Sequence, residues 1–96
     1  MRNLHQIQET LAAHKKELSL KYHVKQMAIF GSYARNEQKR ESDVDILVDF
    51  NGPVGIEFVD LANYLESLLD IRVDLVSRNG IKQTYYQAIQ DDLTYV

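Results

Sequence analysis

The sequence predicts an α/β (α+β) fold, a small mixed β-sheet flanked by helices. Three observations carry that prediction. Asp43 to Phe50 (DVDILVDF) alternates with the period of two that marks a half-buried strand. A second short apolar run, Ile71 to Val76 (IRVDLV), follows it at a distance filled by apolar residues in helical spacing. A third run, Val24 to Phe30 (VKQMAIF), stops at a glycine after an amphipathic N-terminal stretch. Strands separated by helices are the pattern of a sheet covered by its own connections.

In chain order, Leu4, Ile7, Leu11 and Leu18 recur at helical spacing with Lys15, Lys16 and Glu17 between them, predicting one helix from Asn3 to about Leu20. Val24 to Phe30 is the first strand. Ser32 to about Asn36 suits a short helix capped by Ser32. Glu37 to Ser42 (EQKRES) is polar and reads as a loop. In the strand that follows, Val44, Ile46, Val48 and Phe50 face one side, while Asp43, Asp45, Leu47 and Asp49 face the other. Asn51-Gly52-Pro53 breaks it. A helix from about Ile56 to Leu69 gathers Phe58, Leu61, Ala62, Leu65, Leu68 and Leu69 on one face. In the next strand Arg72, Asp74 and Val76 lie opposite Ile71, Val73 and Leu75. Ser77 to Gly80 turns the chain, and Ile81, Tyr85, Ala88, Ile89 and Leu93 define a last helix, with Tyr85 in the core and Tyr86 open between a partner surface and a covered position.

Composition narrows the class of function. A chain of 96 residues is read as one domain, 1–96, of a size that buries about 60–65% of its unfolded surface. Hydrophobic residues at 45% and charged residues at 26% argue against disorder. Without cysteine there is neither a disulfide framework nor a thiolate metal site. Arg2, His5, Gln6, Gln8 and Glu9 interrupt the N-terminus, so no signal peptide is expected. No apolar run approaches the roughly 20 residues of a membrane span, and the expectation is a soluble, cytoplasmic protein. The formal charge of −3 argues against direct nucleic-acid binding, which draws its affinity from basic residues on phosphates. It is compatible with a nucleotide delivered together with magnesium.

Three features carry chemistry. Asp43 and Asp45, at i and i+2 on a strand, point to the same face with Cα atoms roughly 6.5–7 Å apart. That suits two divalent ions, and magnesium takes oxygen ligands. Chance supplies about 0.6 such pairs in a sequence of this composition, so the bare pair is equally a solvated strand face. An EF-hand loop is excluded, because it would need a polar ligand at Leu47 and a glycine at Val48. Asp74 stands in an apolar strand where an unpaired charge is costly. It either joins the other two acids around a cation or is an edge-strand acid paired with Arg72 or Arg78. Gly31-Ser32 follows a strand and opens a helical turn, an anion site when phosphate is present and a simple capped turn otherwise. Lys39 and Arg40 touch a triphosphate or are merely solvated. His5, His14 and His23 share no metal-ligand spacing and are expected at the surface.

Gly31-Ser32-Tyr33-Ala34-Arg35, followed after a loop by Ser42-Asp43-Val44-Asp45-Ile46-Leu47-Val48, resembles the signature of the DNA polymerase β-like nucleotidyltransferase superfamily. Within it the chain resembles the minimal nucleotidyltransferase (MNT) family. Val73-Asp74-Leu75-Val76 matches the strand bearing that family's third carboxylate. Asn36 departs from the glycine frequent after the arginine, but asparagine also tolerates the left-handed conformation. The resemblance implies that Gly31 and Ser32 bind the triphosphate of ATP and that Asp43 and Asp45 ligate two Mg2+ ions. It implies that Asp74 completes the catalytic metal site and helps deprotonate the acceptor, while Arg35 is a structural anchor. It further implies an antitoxin of a type VII-like HEPN/MNT toxin–antitoxin pair, transferring AMP to a tyrosine of a HEPN-domain ribonuclease toxin. Larger nucleotidyltransferases seat the acceptor on an extra helical domain, which supports a separate partner. The competing expectations are a stoichiometric toxin-binding antitoxin and transfer to a small-molecule hydroxyl.

Overall fold

The computed structural model describes residues 2–96. Helix α1 (Leu4–Ala13) opens with a capping box. The Asn3 side chain accepts from the Gln6 amide at 2.9 Å, and the Asn3 amide donates to the Gln6 side chain at 3.0 Å. The single N-terminal helix expected from periodicity is two helices. At His14 the backbone leaves helical geometry (φ −108°, ψ 13°), its N–H turns back to Leu11 and Ala12, and its ring bonds the Thr10 carbonyl. Helix α2 (Lys15–Tyr22) starts afresh from there and packs on helix α3 (Glu57–Leu69) and on the first strand. Tyr64 of α3 donates to Glu17 of α2, and the Tyr22 and Tyr64 rings stand 5.2 Å apart.

The strands are β1 (Val24–Phe30), β2 (Val44–Phe50), β3 (Val73–Ser77) and β4 (Thr94–Tyr95), in the sheet order β3-β2-β1-β4. β1 and β2 run antiparallel; β2 and β3 run parallel, which requires a crossover that helix α3 (Glu57–Leu69) supplies. The sheet is therefore mixed, as the alternation of strands and helices predicts. Its inner face carries Val44, Ile46, Val48 and Phe50 from β2 and Ile29 from β1, packed against Ile7, Leu11, Leu18, Leu61, Leu65 and Leu69. Leu65 is completely buried at the centre of this cluster. Leu65→Ala is expected to cost about 2–5 kcal/mol, the usual penalty for a core cavity, measured as a fall in the urea midpoint.

Two further expectations are corrected. Ser32 to Asn36 form one turn rather than a helix, and the Ser32 hydroxyl makes no hydrogen bond among the described residues, so it is not a cap. The last helix, α4 (Gln83–Ile89), ends early. A 3-10 turn (Gln90–Asp92) follows, and the chain then extends into β4, pairing Thr94 and Tyr95 with Ile29 and Ala28. No residue of α4 is buried, because this helix lies over the outer face of the sheet rather than the core. Tyr85, expected inside, is 43% exposed, with its ring edge-on to Phe30. Tyr86, which the sequence leaves open, is the more covered of the two and stacks under Arg78 at 3.9 Å. Among the described residues no helix is long and apolar enough to cross a membrane.

Candidate active site

The turn after β1 is set by local backbone rules. Gly31 adopts φ +77°, open to glycine at little cost. Arg35 N–H closes on the Gly31 carbonyl at 3.1 Å. Asn36 (φ 58°) then ends the turn with the paired bonds of a Schellman motif, Asn36 N–H to Tyr33 O and Glu37 N–H to Ser32 O. The asparagine expected to tolerate the left-handed region occupies it. Asn36→Gly is expected to be neutral or slightly stabilising, and Asn36→Ala to cost about 1 kcal/mol, read as a shift in melting temperature. Within this turn the Ser32, Tyr33 and Ala34 N–H groups have no protein acceptor among the described residues, which leaves them free for an anion. Arg35 anchors the turn, bonding Glu37 at 2.8 Å and Asp92 at 2.5 Å.

Asp45 lies under this turn. Its carboxylate fills the space beside the Gly31 Cα: a Cβ added at Gly31 would stand 2.1 Å from Asp45 Oδ2. Across the parallel ladder Asp45 registers with Asp74, and across the antiparallel ladder with Phe30. Burial, then Asp74 and Asp43, push the Asp45 carboxyl up to about 6, with the Asp74 carboxylate within hydrogen-bonding reach. The like charges of two neighbouring acids thus act on Asp45. Asp43, at the head of β2, is more open and pairs with Arg72, Nε to Oδ1 at 3.2 Å.

The acids do share one side of the sheet, but two expectations change. Asp74 is exposed, because β3 is an edge strand, so the burial cost assigned to it does not arise. Arg72, considered as its partner, holds Asp43 instead. Moreover, no group of three His, Cys, Asp or Glu stands close enough to hold a metal by itself among the described residues. Asp45 and Asp74 fit a magnesium ion in donor chemistry, since the Asp74 carboxylate facing Asp45 raises the proton affinity of Asp45 and a cation would relieve that repulsion. His5 and His23 are exposed and His14 is half-buried on Thr10.

Sequence reasoning missed Tyr85 as a neighbour of the acids and set Arg72 beside Asp74 rather than Asp43. Burial first, then Asp74 and Asp45, raise the Tyr85 hydroxyl above its ordinary value, so this exposed ring stands in the field of the site. Its helical spacing with Ala88 and Ile89 looked like a core stripe, and only the outer-face position of α4 reverses that.

The structure thus sets carboxylates on adjacent parallel strands of a mixed sheet beside a glycine turn. The chain belongs to the nucleotidyltransferase domain family, whose profile matches residues 11–96, and within it to the minimal nucleotidyltransferases. It is 50% identical over 98 residues, covering all of both chains, to a Methanocaldococcus jannaschii protein provisionally named a protein adenylyltransferase. It is 44% identical over 97 residues to the protein adenylyltransferase MntA of Thermococcus cleftensis, covering 100% of this chain and 98% of that one. Among solved structures, one described provisionally as a minimal nucleotidyltransferase superposes with a TM-score of 0.81 at 29% identity, over 97% of this chain and 95% of the other. A toxin–antitoxin structure with AMP-PNP superposes with a TM-score of 0.65 at 28% identity, over 83% and 76%.

Proposed function

We propose that the chain is a magnesium-dependent protein adenylyltransferase that transfers AMP from ATP to a tyrosine hydroxyl of a HEPN-domain toxin and so acts as its antitoxin. The observation that carries the reading is the contact of the Gly31 turn with Asp45, itself opposite Asp74. A free amide nest and a carboxylate pair then flank the place where an α-phosphate would lie. The names of the relatives and the toxin–antitoxin neighbour support the substrate and the partner.

In this reading Gly31 and Ser32 hold the triphosphate through backbone N–H groups. Asp43, Asp45 and Asp74 would hold two magnesium ions, which supply charge neutralisation on the phosphate oxygens. Asp74, exposed on the edge strand, accepts the proton of the attacking hydroxyl. The acceptor oxygen bonds to the α-phosphorus, the bond to the β-phosphate breaks, and pyrophosphate leaves. Tyr85, open beside the acids, forms a wall against which the nucleotide or the acceptor segment rests. Asp74 is exposed on an edge strand, which favours an acceptor carried on another protein over a small molecule.

Catalysis and simple binding separate in cells. The Asp43→Asn/Asp45→Asn double variant should still be recovered with the toxin yet fail to protect growth. Full protection by that variant would replace transfer with stoichiometric binding.

A further inference from the structure

A cleft of about 550 Å3 opens beside Asp43, between the loop ahead of β2 and the turn ahead of β3. Arg2, Arg40 and Arg72 line it, against the acids Glu41 and Asp70. Ser42, also on its wall, is the residue before Asp43 and accepts the Lys39 amide at 2.8 Å, while its own amide donates to the Lys39 carbonyl at 3.0 Å. These reciprocal bonds tie off the loop that carries Arg40. Arg72 is 74% exposed; besides Asp43 it reaches, among the described residues, only the Glu41 carbonyl, at 3.3 Å. An exposed ion pair of this kind is weak and readily exchanged.

We propose that Arg72 exchanges between two anionic partners. In one arrangement, the one seen here, it pairs with Asp43 and neutralises that carboxylate. When a nucleoside triphosphate binds, Arg72 and Arg40 take its terminal phosphates in the cleft, and Asp43 is released toward Asp45 and Asp74. A guanidinium fork matches phosphate oxygens as well as it matches a carboxylate, and the terminal phosphates bring more charge than Asp43 does. This accounts for three acids on one side of the sheet that are not gathered as a ligand group. The inference rests on the nucleotidyltransferase reading, and it makes Arg72 a brake on metal binding and an aid to phosphate binding at once.

Those opposite signs are the test, and a residue that merely supported the fold would not produce them. The purified full chain and its Arg72→Gln and Arg40→Gln variants are titrated with three probes: Mn2+ alone, followed by the electron spin signal of the free ion; inorganic pyrophosphate alone in metal-free buffer; and AMP alone. Arg72→Gln should bind Mn2+ several-fold more tightly than the wild type and pyrophosphate several-fold more weakly. Arg40→Gln should weaken pyrophosphate alone, and neither should change AMP. Unchanged or weaker Mn2+ binding by Arg72→Gln, or unchanged pyrophosphate binding, overturns the exchange while leaving the transferase reading in place. A wild type that binds neither Mn2+ nor pyrophosphate overturns both.

Discussion

Asp45→Asn is expected to abolish nucleotidyl transfer and, at the same time, to raise the melting temperature of the metal-free chain by a few degrees. Asp45 sits half-buried between the Gly31 turn and Asp74, and burial plus two like charges lift its carboxyl from 3.8 to about 6. A carboxyl that binds its proton more tightly when folded favours the fold when protonated. Its contribution is therefore complete below about 3.8 and is lost as pH rises through about 6. Above that range the wild type holds an ionised carboxylate against its neighbours, whereas asparagine carries no charge. The gap in melting temperature between variant and wild type should be largest above pH 6 and close as the pH falls toward 4. Asp45 is partly open to solvent, so screening keeps the gain modest. Magnesium relieves the same repulsion and should shrink the gap at neutral pH. Loss of a carboxylate that neutralises the reacting phosphates should cost transfer on the order of 10³-fold or more. An equal gap at pH 4 and pH 7.5 would show that the acids do not act on Asp45 as described.

Gly31→Ala should be nearly as damaging to activity, for a different reason. The new Cβ would meet Asp45 Oδ2 at 2.1 Å and Cγ at 3.1 Å, and the backbone at φ +77° disfavours any side chain. The conformational part costs about 1–2 kcal/mol in stability. The contact part turns the Asp45 carboxylate out of place, and transfer should fall by roughly 100-fold, since misplacement on the order of 1 Å has that effect. Gly52 provides the comparison: it too has positive φ, at +91°, but a Cβ there meets nothing within 4 Å. Gly52→Ala should lose stability and keep its transfer rate. Equal loss of activity in both variants, measured as kcat/KM with partner and ATP, would remove Gly31 from the site.

Much of this arrangement is legible in the sequence because it depends on short-range periodicity. Alternation along β2 separates the buried Val44, Ile46 and Val48 from Asp45 and Asp49, and a strand of seven residues leaves little freedom in that assignment. The helical stripe ending at Leu69 forces a crossover, and the crossover puts β3 parallel to β2 with Asp74 opposite Asp45. What escaped depends on longer-range choices. The break at His14 turns on one residue's torsions and a ring bond to Thr10, and leaves the apolar spacing on either side intact. β4 is two residues long and exists only because β1 offers it an edge. Tyr85 is exposed because α4 covers the outer face of the sheet, which periodicity does not reveal. Asp74 was assigned a burial cost proper to a central strand, and β3 is an edge. Arg72 reaches Asp43 only because the turn ahead of β3 meets the head of β2, where the Val44 amide bonds the Arg72 carbonyl at 2.9 Å.

The most direct measurement of the central claim is label transfer. The chain is incubated with α-labelled ATP, magnesium and its HEPN-type partner, and the label is located by peptide mass analysis. The account requires label on a partner tyrosine, released pyrophosphate in equal amount, and loss of both in Asp43→Asn and in Asp45→Asn. Label that persists in both variants, or a partner neutralised without any label, would contradict it.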